Sequence, residues 1–179
     1  MIYFETDRLI FRDWHEYDLV HFQAMNSDFD VRRYFPDVMS NARSEMAFYM
    51  MQREIIQHEL GLFAVALKDT KEFIGFIGIQ YLIPTKYFDL PFMPCYEIGW
   101  RLRKEFWNKG YATEGAKGVL HYAAQKGVTS VYSYTSLVNR QSRRIMHKLD
   151  MEYIKSFNHP LIHVDHPLRE QVLYYKKLI

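Results

Sequence analysis

The segment Phe106-Trp107-Asn108-Lys109-Gly110-Tyr111-Ala112-Thr113-Glu114 carries the clearest chemical suggestion in the chain. It falls between a strand-like run and a helix-like run. The first turn of a helix leaves backbone N–H groups without partners and carries about half a positive charge, so it attracts anions. Gly110 lets the backbone approach an anion closely, Ala112 keeps the next turn small, and Lys109 adds a mobile cation. The same residues also suit an ordinary strand-to-helix turn. The segment is neither a nucleoside-triphosphate loop, which needs a spaced Gly-Lys-Ser/Thr, nor a dinucleotide-binding turn, which needs a first pair of glycines.

Three other groups hold chemically capable side chains. Arg140, Arg143, Arg144 and His147 fall at i, i+3, i+4 and i+7, one helical face, with Lys148 beside them. They make either a solvated face or a contact for an anionic ligand. His159, His163, Asp165 and His166 are metal-ligand types, but their spacing matches no zinc pattern, so a hairpin loop is the better reading and no metal is expected. Cys95 has no histidine placed to activate it and is not expected to be a nucleophile.

The elements that must position these residues follow from periodicity. Strands are expected at Arg8–Phe11, Phe63–Leu67, Phe73–Leu82, Tyr96–Leu102, Val128–Thr135, Met151–Phe157 and Gln171–Lys177. In Tyr96–Leu102, alternation puts Glu97, Gly99 and Arg101 on one face and Tyr96, Ile98, Trp100 and Leu102 on the other. Helices are expected at His15–Asn26, after Ser40 as a cap, from about Ala112 to Gly127, and over Asn139–Leu149. A short helix at Asp30–Tyr34 is a further candidate. The long helix after Ser40 should bury Met46, Phe48, Tyr49, Met50, Ile55 and Ile56 and end at Gly61. The apolar loop Pro84–Pro94 either packs on the sheet edge or forms an acceptor wall or dimer contact. The fold class is α/β (α+β), a mixed sheet with helices on both faces.

A chain of 179 residues fits one domain, spanning 1–179. Its 23 Lys plus Arg against 21 Asp plus Glu leave a net charge of only +2, so binding nucleic acid by bulk charge is not expected and any anion must meet a local site. Aromatic residues at 17% favour a sheet-containing core with aromatic-lined clefts. A single cysteine excludes an internal disulfide framework. The N-terminus lacks a secretory pattern, and no run is long enough for a membrane helix. The expectation is a soluble, cytoplasmic protein with no membrane partner.

In four places and in order, the chain resembles the GNAT superfamily of acyl-CoA N-acyltransferases, of the RimJ/RimL-type branch. Glu5–Arg12 resembles the opening strand of that branch, and Glu97-Ile98-Gly99-Trp100-Arg101-Leu102 its fourth strand. Trp107–Glu114 resembles its pyrophosphate loop, and Asn139-x-x-Ser142 with Lys148-Leu149 its last helix. The likeness runs from about Glu5 to Tyr175. Some positions depart from the pattern. Trp107 stands where the superfamily has Arg or Gln, Met146 where a tyrosine acid is frequent, and Asp150 where a glycine follows the last helix. Asp can adopt the left-handed conformation that such a glycine supplies, at some cost.

The resemblance implies a GNAT fold, a mixed, mostly antiparallel central sheet splayed between its fourth and fifth strands. Acetyl-CoA, as co-substrate, would lie in the splay. Its pantetheine arm would pair with the backbone of Trp100, Arg101 and Leu102. Its pyrophosphate would rest on Trp107, Asn108, Lys109, Gly110, Tyr111, Ala112 and Thr113. Asn139 would contact the arm, and Ser142 would sit near the sulfur as an acid for the leaving thiolate, unless it only bonds the backbone. Arg143, within the basic stripe, would meet the adenosine 3′-phosphate or an acidic acceptor. Glu97 is the candidate base, acting through water, or else an ordinary strand carboxylate paired with Arg101. The implied activity is direct transfer of an acetyl group to a primary amine. The acceptor expected is a protein N-terminal α-amine, ribosomal-protein-like, with walls from Phe29–Asp37, Pro84–Pro94 and His159–Pro167. A small-molecule amine such as an antibiotic or polyamine, or a non-catalytic acyl-CoA-binding module, remains open, and so does monomer against homodimer.

Overall fold

A computed structural model describes residues 1–179. In chain order the elements are β1 (Ile2–Glu5), β2 (Leu9–Arg12), α1 (Asp18–Ser27), α2 (Asn41–His58), β3 (Leu62–Leu67), β4 (Phe73–Leu82) and β5 (Cys95–Leu102). A 3₁₀ turn at Lys104–Phe106 leads to α3 (Tyr111–Gln125), then β6 (Ser130–Ser136), α4 (Arg140–Lys148), β7 (Glu152–Asn158) and β8 (Glu170–Lys177). The strands form one sheet in the order β1-β2-β3-β4-β5-β6-β8-β7. Every neighbouring pair is antiparallel except β5 and β6.

The parallel pair touches at one register point, Glu97 opposite Tyr132. Just beyond it the Ser133 hydroxyl donates to the Ile98 carbonyl at 2.9 Å. Past that bond the strands part, and this is the expected splay. The chain opens with a hairpin, so the family's fourth and fifth strands are β5 and β6 here.

Helices cover both faces of the sheet. Phe76 and Ile77 are consecutive on β4 and point to opposite sides. Phe22 of α1 packs on Phe76, with ring centroids 6.2 Å apart. Gly115 of α3 sits so close to Ile77, Phe11 and Leu9 that a methyl group there would come within 2.4 Å of the Ile77 side chain. The α1 side is knitted by Trp14, Phe22, Phe48 and Phe76, all buried, and the Trp14 indole donates to the Leu62 carbonyl at 2.8 Å. Burying each such side chain contributes about 1.5–3 kcal/mol.

Several expectations are corrected. Ile2–Glu5 is a strand of its own, joined to β2 as a hairpin. Asp30–Tyr34 is turn, not helix. Ser40 does cap α2, its hydroxyl accepting from the Arg43 N–H at 3.2 Å. Of the six apolar residues expected on the buried face of α2, only Phe48 and Ile55 are buried, joined by Ser44. Met46, Tyr49, Met50 and Ile56 face outward. That helix stops at His58 with Glu59 in the left-handed region at φ 52°, two residues before Gly61. After α4, Asp150 adopts φ 56°, the conformation expected of it.

Candidate active site

A cleft of about 750 Å³ opens where β5 and β6 part, bounded by the segment after α1, the loop before α3 and the start of α4. Its floor is a strand edge. The Arg103 N–H donates to Ile74 on β4, so odd-numbered residues of β5 turn their backbone groups toward β4. Even-numbered residues turn theirs toward the splay, as the Ser133 bond to the Ile98 carbonyl also shows. Trp100 and Leu102 therefore present backbone groups to the cleft, and Arg101 does not. The expected three-residue pairing segment narrows to Trp100 and Leu102 because strand alternation gives the Arg101 backbone to β4. The Leu102 carbonyl already accepts from the Trp107 indole at 2.9 Å.

This edge runs into the start of α3. No N–H from Asn108 to Gly110 donates within the protein, and the first turn, Tyr111–Thr113, has no intrahelical acceptor. Gly110 sits at the N-cap with φ 81°, a left-handed conformation that strains any residue with a Cβ. Asn108 precedes it with φ 59°. The result is a concave row of N–H groups beside a positive helix end, an environment that fits a phosphate. The Lys109 side chain lies over the Phe106 ring at 5.5 Å and is not part of the cleft lining, while its carbonyl accepts from Arg8 at 2.9 Å. It contributes backbone to the loop rather than a cation to the cleft.

The opposite lip is the start of α4. Asn139 caps that helix, its Oδ1 accepting from the Ser142 N–H at 3.1 Å. Its Nδ2 donates to Thr135 Oγ1 at 2.9 Å and to Ser142 Oγ at 3.1 Å. The Trp100 indole also donates to Ser142 Oγ, at 3.3 Å across the splay. The hydroxyl thus accepts two bonds and keeps its own proton to give. Arg143 lies outside the main cleft. Its Nη1 donates to the Leu137 carbonyl at 3.1 Å, and it lines a shallow outer surface with Arg140, Arg144 and His147. Of the basic stripe, Arg144 and Lys148 reach the main cleft. Met146 is buried in the core.

Glu97 stands deep in the cleft, partly open to it, with no hydrogen bond or ion pair to the protein. Desolvation pushes its carboxyl up to about 8 from an ordinary 4.5. The alternative of a carboxylate paired with Arg101 is not realised, because Arg101 Nη1 donates instead to Asn26 Oδ1 at 2.9 Å. Burial, and then the neighbouring Arg32, depress the Arg101 guanidinium to about 9. Tyr134 lies close enough that the charge of Glu97 adds to burial in pushing its phenol up. Burial and Glu97 push the Cys95 thiol up to about 11, which suits an inert side chain.

Among the expected acceptor walls, Asp30, Val31, Arg32, Tyr34 and Phe35 line the cleft. Neither the 84–94 loop nor the 159–167 loop contributes a lining residue. Those loops pack on each other, Phe88 stacking on His159 at 5.5 Å, and Phe92 lies near Tyr134 at 6.0 Å. Phe76, Gln80, Ser133 and Tyr134 were not anticipated. The alternation of β6 carried a signal for Ser133 and Tyr134.

A strand edge with backbone groups turned to the cleft thus leads straight to a helix end whose N–H groups suit an anion. A coenzyme A thioester offers an amide-bearing arm and a pyrophosphate in that order, and this sets the molecule among acyl-CoA-dependent transferases. The chain belongs to the GNAT acetyltransferases, whose acetyltransferase (GNAT) domain matches residues 8–152. It is an acetyl-CoA-dependent N-acetyltransferase. It is 28% identical over 147 residues to the uncharacterized N-acetyltransferase YnaD of Bacillus subtilis, covering 82% of this chain and 80% of that protein. A GNAT-family acetyltransferase structure from Bacillus anthracis superposes with TM-score 0.79 at 22% identity, covering 99% of both chains. An acetyl transferase from Salmonella typhimurium, described as modifying the N-terminal serine of ribosomal protein L7/L12, gives TM-score 0.76 at 11% identity and 99% coverage of both.

Proposed function

We propose that this N-acetyltransferase modifies a protein N-terminal α-amine, as a single catalytic domain of the RimJ/RimL type acting in the cytoplasm. The observation that carries the reading is the unpaired carboxyl of Glu97, raised to about 8. An α-amine titrates near 7.7–8.0 and a lysine amine near 10.4. A base of that strength works near neutral pH, where an α-amine has a substantial unprotonated fraction and a lysine amine almost none. A polycationic acceptor is disfavoured by Arg32 and Arg101 in the wall.

When bound, acetyl-CoA supplies a thioester carbonyl open to attack by a neutral amine and a thiolate that departs. Trp100 and Leu102 hold the arm by their cleft-facing backbone, and the N–H groups from Asn108 to Thr113 hold the phosphates. Asn139 and the Trp100 indole fix Ser142 Oγ. Glu97 takes the proton that the amine sheds as the new C–N bond forms, directly or through one water. Ser142 passes its hydroxyl proton to the sulfur as the C–S bond breaks and regains one from solvent, while Glu97 returns its proton to solvent. A thiol near 8.5 leaves readily, so this second proton is a modest aid. The Leu102 N–H is the candidate donor to the carbonyl oxygen as it gains charge.

Two measurements test the reading. Acetyl-CoA at a hundredfold excess over Kd should stabilise the fold by about 2.7 kcal/mol. That raises Tm by roughly 5–10 °C for a chain of this size, and ATP should not reproduce it. Thiol release should then be stimulated by N-terminal peptides more than by a panel of antibiotic and polyamine amines. The reverse preference would assign a small-molecule acceptor. Acetyl-CoA binding with no stimulation by either panel would leave a binding module.

A further inference from the structure

Glu97 and Arg101 are four residues apart on β5 and leave the same face of the sheet. Their cross-strand partners are Gln80 and Phe76, so both lie on the face that α1 covers. The Arg101 guanidinium packs 4.7 Å from the Phe35 ring centre and 5.1 Å from that of Phe76. Apart from its bond to Asn26 it has no protein partner, and its Nε is buried without an acceptor. No carboxylate reaches it.

Arg32 lies over the same Phe35 ring at 4.1 Å and is only 8% exposed. Two guanidinium groups on one ring are held within about 9 Å, comparable with the ~10 Å screening length of 0.1 M salt. The acid nearest Arg32 is Asp37, at 3.5 Å, and Asp37 is drawn more closely to Arg43, at 2.8 Å. Asp30 is engaged by Lys104 and Arg33. This wall of the cleft therefore holds more buried positive charge than its own acids neutralise. Leaving such charge unpaired is costly, and an arriving anion with hydrogen-bond acceptors removes the cost.

We infer that Arg101 and Arg32 form a carboxylate-recognising subsite in the acceptor cleft, so that the amine acetylated here belongs to a molecule that also carries an acidic group. This rests on the transferase reading above and narrows its substrate class. Four strand residues separate the Glu97 and Arg101 backbones by about 13 Å. An extended peptide crosses that distance in about four residues, and the long arginine side chain shortens it. The acceptor is then an N-terminal segment with Asp or Glu at position two, three or four. The phosphate-binding N–H groups belong to the start of α3, whereas the Arg101 side chain is anchored to α1 through Asn26, which separates this subsite from the cofactor loop.

The test uses peptides identical except for Glu, Gln or Lys at each of positions two to four, with glycine and glycinamide as a free amino-acid arm. Thiol release is followed with acetyl-CoA, and binding to the CoA-loaded protein is measured by calorimetry, so that slow chemistry still yields a charge preference. Wild-type protein should favour the Glu peptide over the Gln peptide by at least about tenfold, with the Lys peptide weakest. Arg101→Met and Arg32→Met should each bring the Glu-to-Gln ratio close to one, and a CoA-induced rise in Tm verifies that each variant is folded. Equal use of Glu and Gln peptides by wild type would overturn the subsite and leave the N-terminal reading standing. Preference for glycine over glycinamide with no peptide used would keep the subsite and overturn the protein acceptor. Loss of CoA affinity in Arg101→Met with an unchanged peptide ratio would assign Arg101 to the cofactor and overturn the inference.

Discussion

Glu97→Gln separates the proposed base from a bystander, and it has two readouts. With its carboxyl at about 8, roughly one Glu97 in ten is ionised at pH 7 and nine in ten at pH 9. An α-amine acceptor loses its proton over the same range. In the wild type kcat/KM should climb steeply below pH 8 and level off above it, reporting two ionisations. Glu97→Gln should lower kcat by about 10²–10⁴ and leave the shallower slope of the amine alone. Stability gives the second readout. A carboxyl whose folded pKa is raised binds its proton more tightly in the native state than in the unfolded one. Native stability therefore falls as pH rises from about 4.5 to about 8, and stays lowered above that. The gap between those values corresponds to at most about 5 kcal/mol, and solvent in the cleft reduces it. The Gln variant escapes this penalty, so its Tm should exceed that of wild type by several degrees at pH 9 and match it near pH 5. A Gln variant that keeps the steep pH–rate profile would refute the base assignment. A Tm difference that does not change with pH would refute the burial argument beneath it.

Other perturbations address the rest of the site. Gly110→Ala forces a side chain into φ 81°, at about 1–2 kcal/mol, and sets its methyl 3.3 Å from Arg8; calorimetry should find acetyl-CoA binding weakened together with a lower Tm. Asp18→Asn removes a fully buried carboxylate that Arg12 grips at 2.7 and 2.9 Å. The stranded guanidinium should cost about 3–5 kcal/mol, or roughly 10 °C in Tm, with the far phosphate loop unaffected in CoA affinity per folded molecule. Ser142→Ala should reduce kcat less than tenfold, because a thiolate near pKa 8.5 leaves without much help; a loss beyond a hundredfold, with CoA affinity intact, would mean that proton donation limits the reaction.

Long apolar runs were the most legible part of the sequence. Phe73–Leu82 is a strand with those very ends, since a ten-residue run whose first seven residues are buried on both faces admits few registers. The short first strand was missed because Ile2–Glu5 is too exposed to carry alternation. The face of α2 was overdrawn for a different reason. Only Ser44, Phe48 and Ile55 are fully buried, and sequence gives no measure of how wide a strip the neighbours will cover. At the site, the loop before α3 and the Asn139–Ser142 cap were readable because each is a local motif. The Arg32–Phe35–Arg101 stack joins a turn to a strand some seventy residues later, and the separation of Glu97 from Arg101 depends on Asn26, a residue of α1. Contacts of that range leave no periodic trace.

The hairpin that was hardest to see also holds the cofactor loop in place. Glu114 sits in the first turn of α3, where its charge would repel a phosphate if it were free. It is not free. Oε1 accepts from Thr6 Oγ1 at 2.6 Å and from the Arg8 N–H at 2.8 Å, and Oε2 accepts from Arg8 Nε at 2.6 Å. Arg8 also reaches the Lys109 carbonyl and lies over the Tyr111 ring at 4.5 Å. Burial alone would raise the Glu114 carboxyl, but the bonds from Thr6 and Arg8 outweigh it and hold it below the usual range. The clamp's stabilisation is therefore complete above the ordinary carboxyl pKa of 4.5 and is lost as pH falls through the lower folded value. Glu114→Gln keeps the shape but weakens the acceptors and frees Arg8. It should weaken acetyl-CoA affinity by loosening the loop, although it removes a negative charge from a phosphate site. If electrostatics alone governed the loop, the same substitution would tighten binding, so the sign of the change in Kd decides between a site made by charge and a site made by the hairpin that holds it.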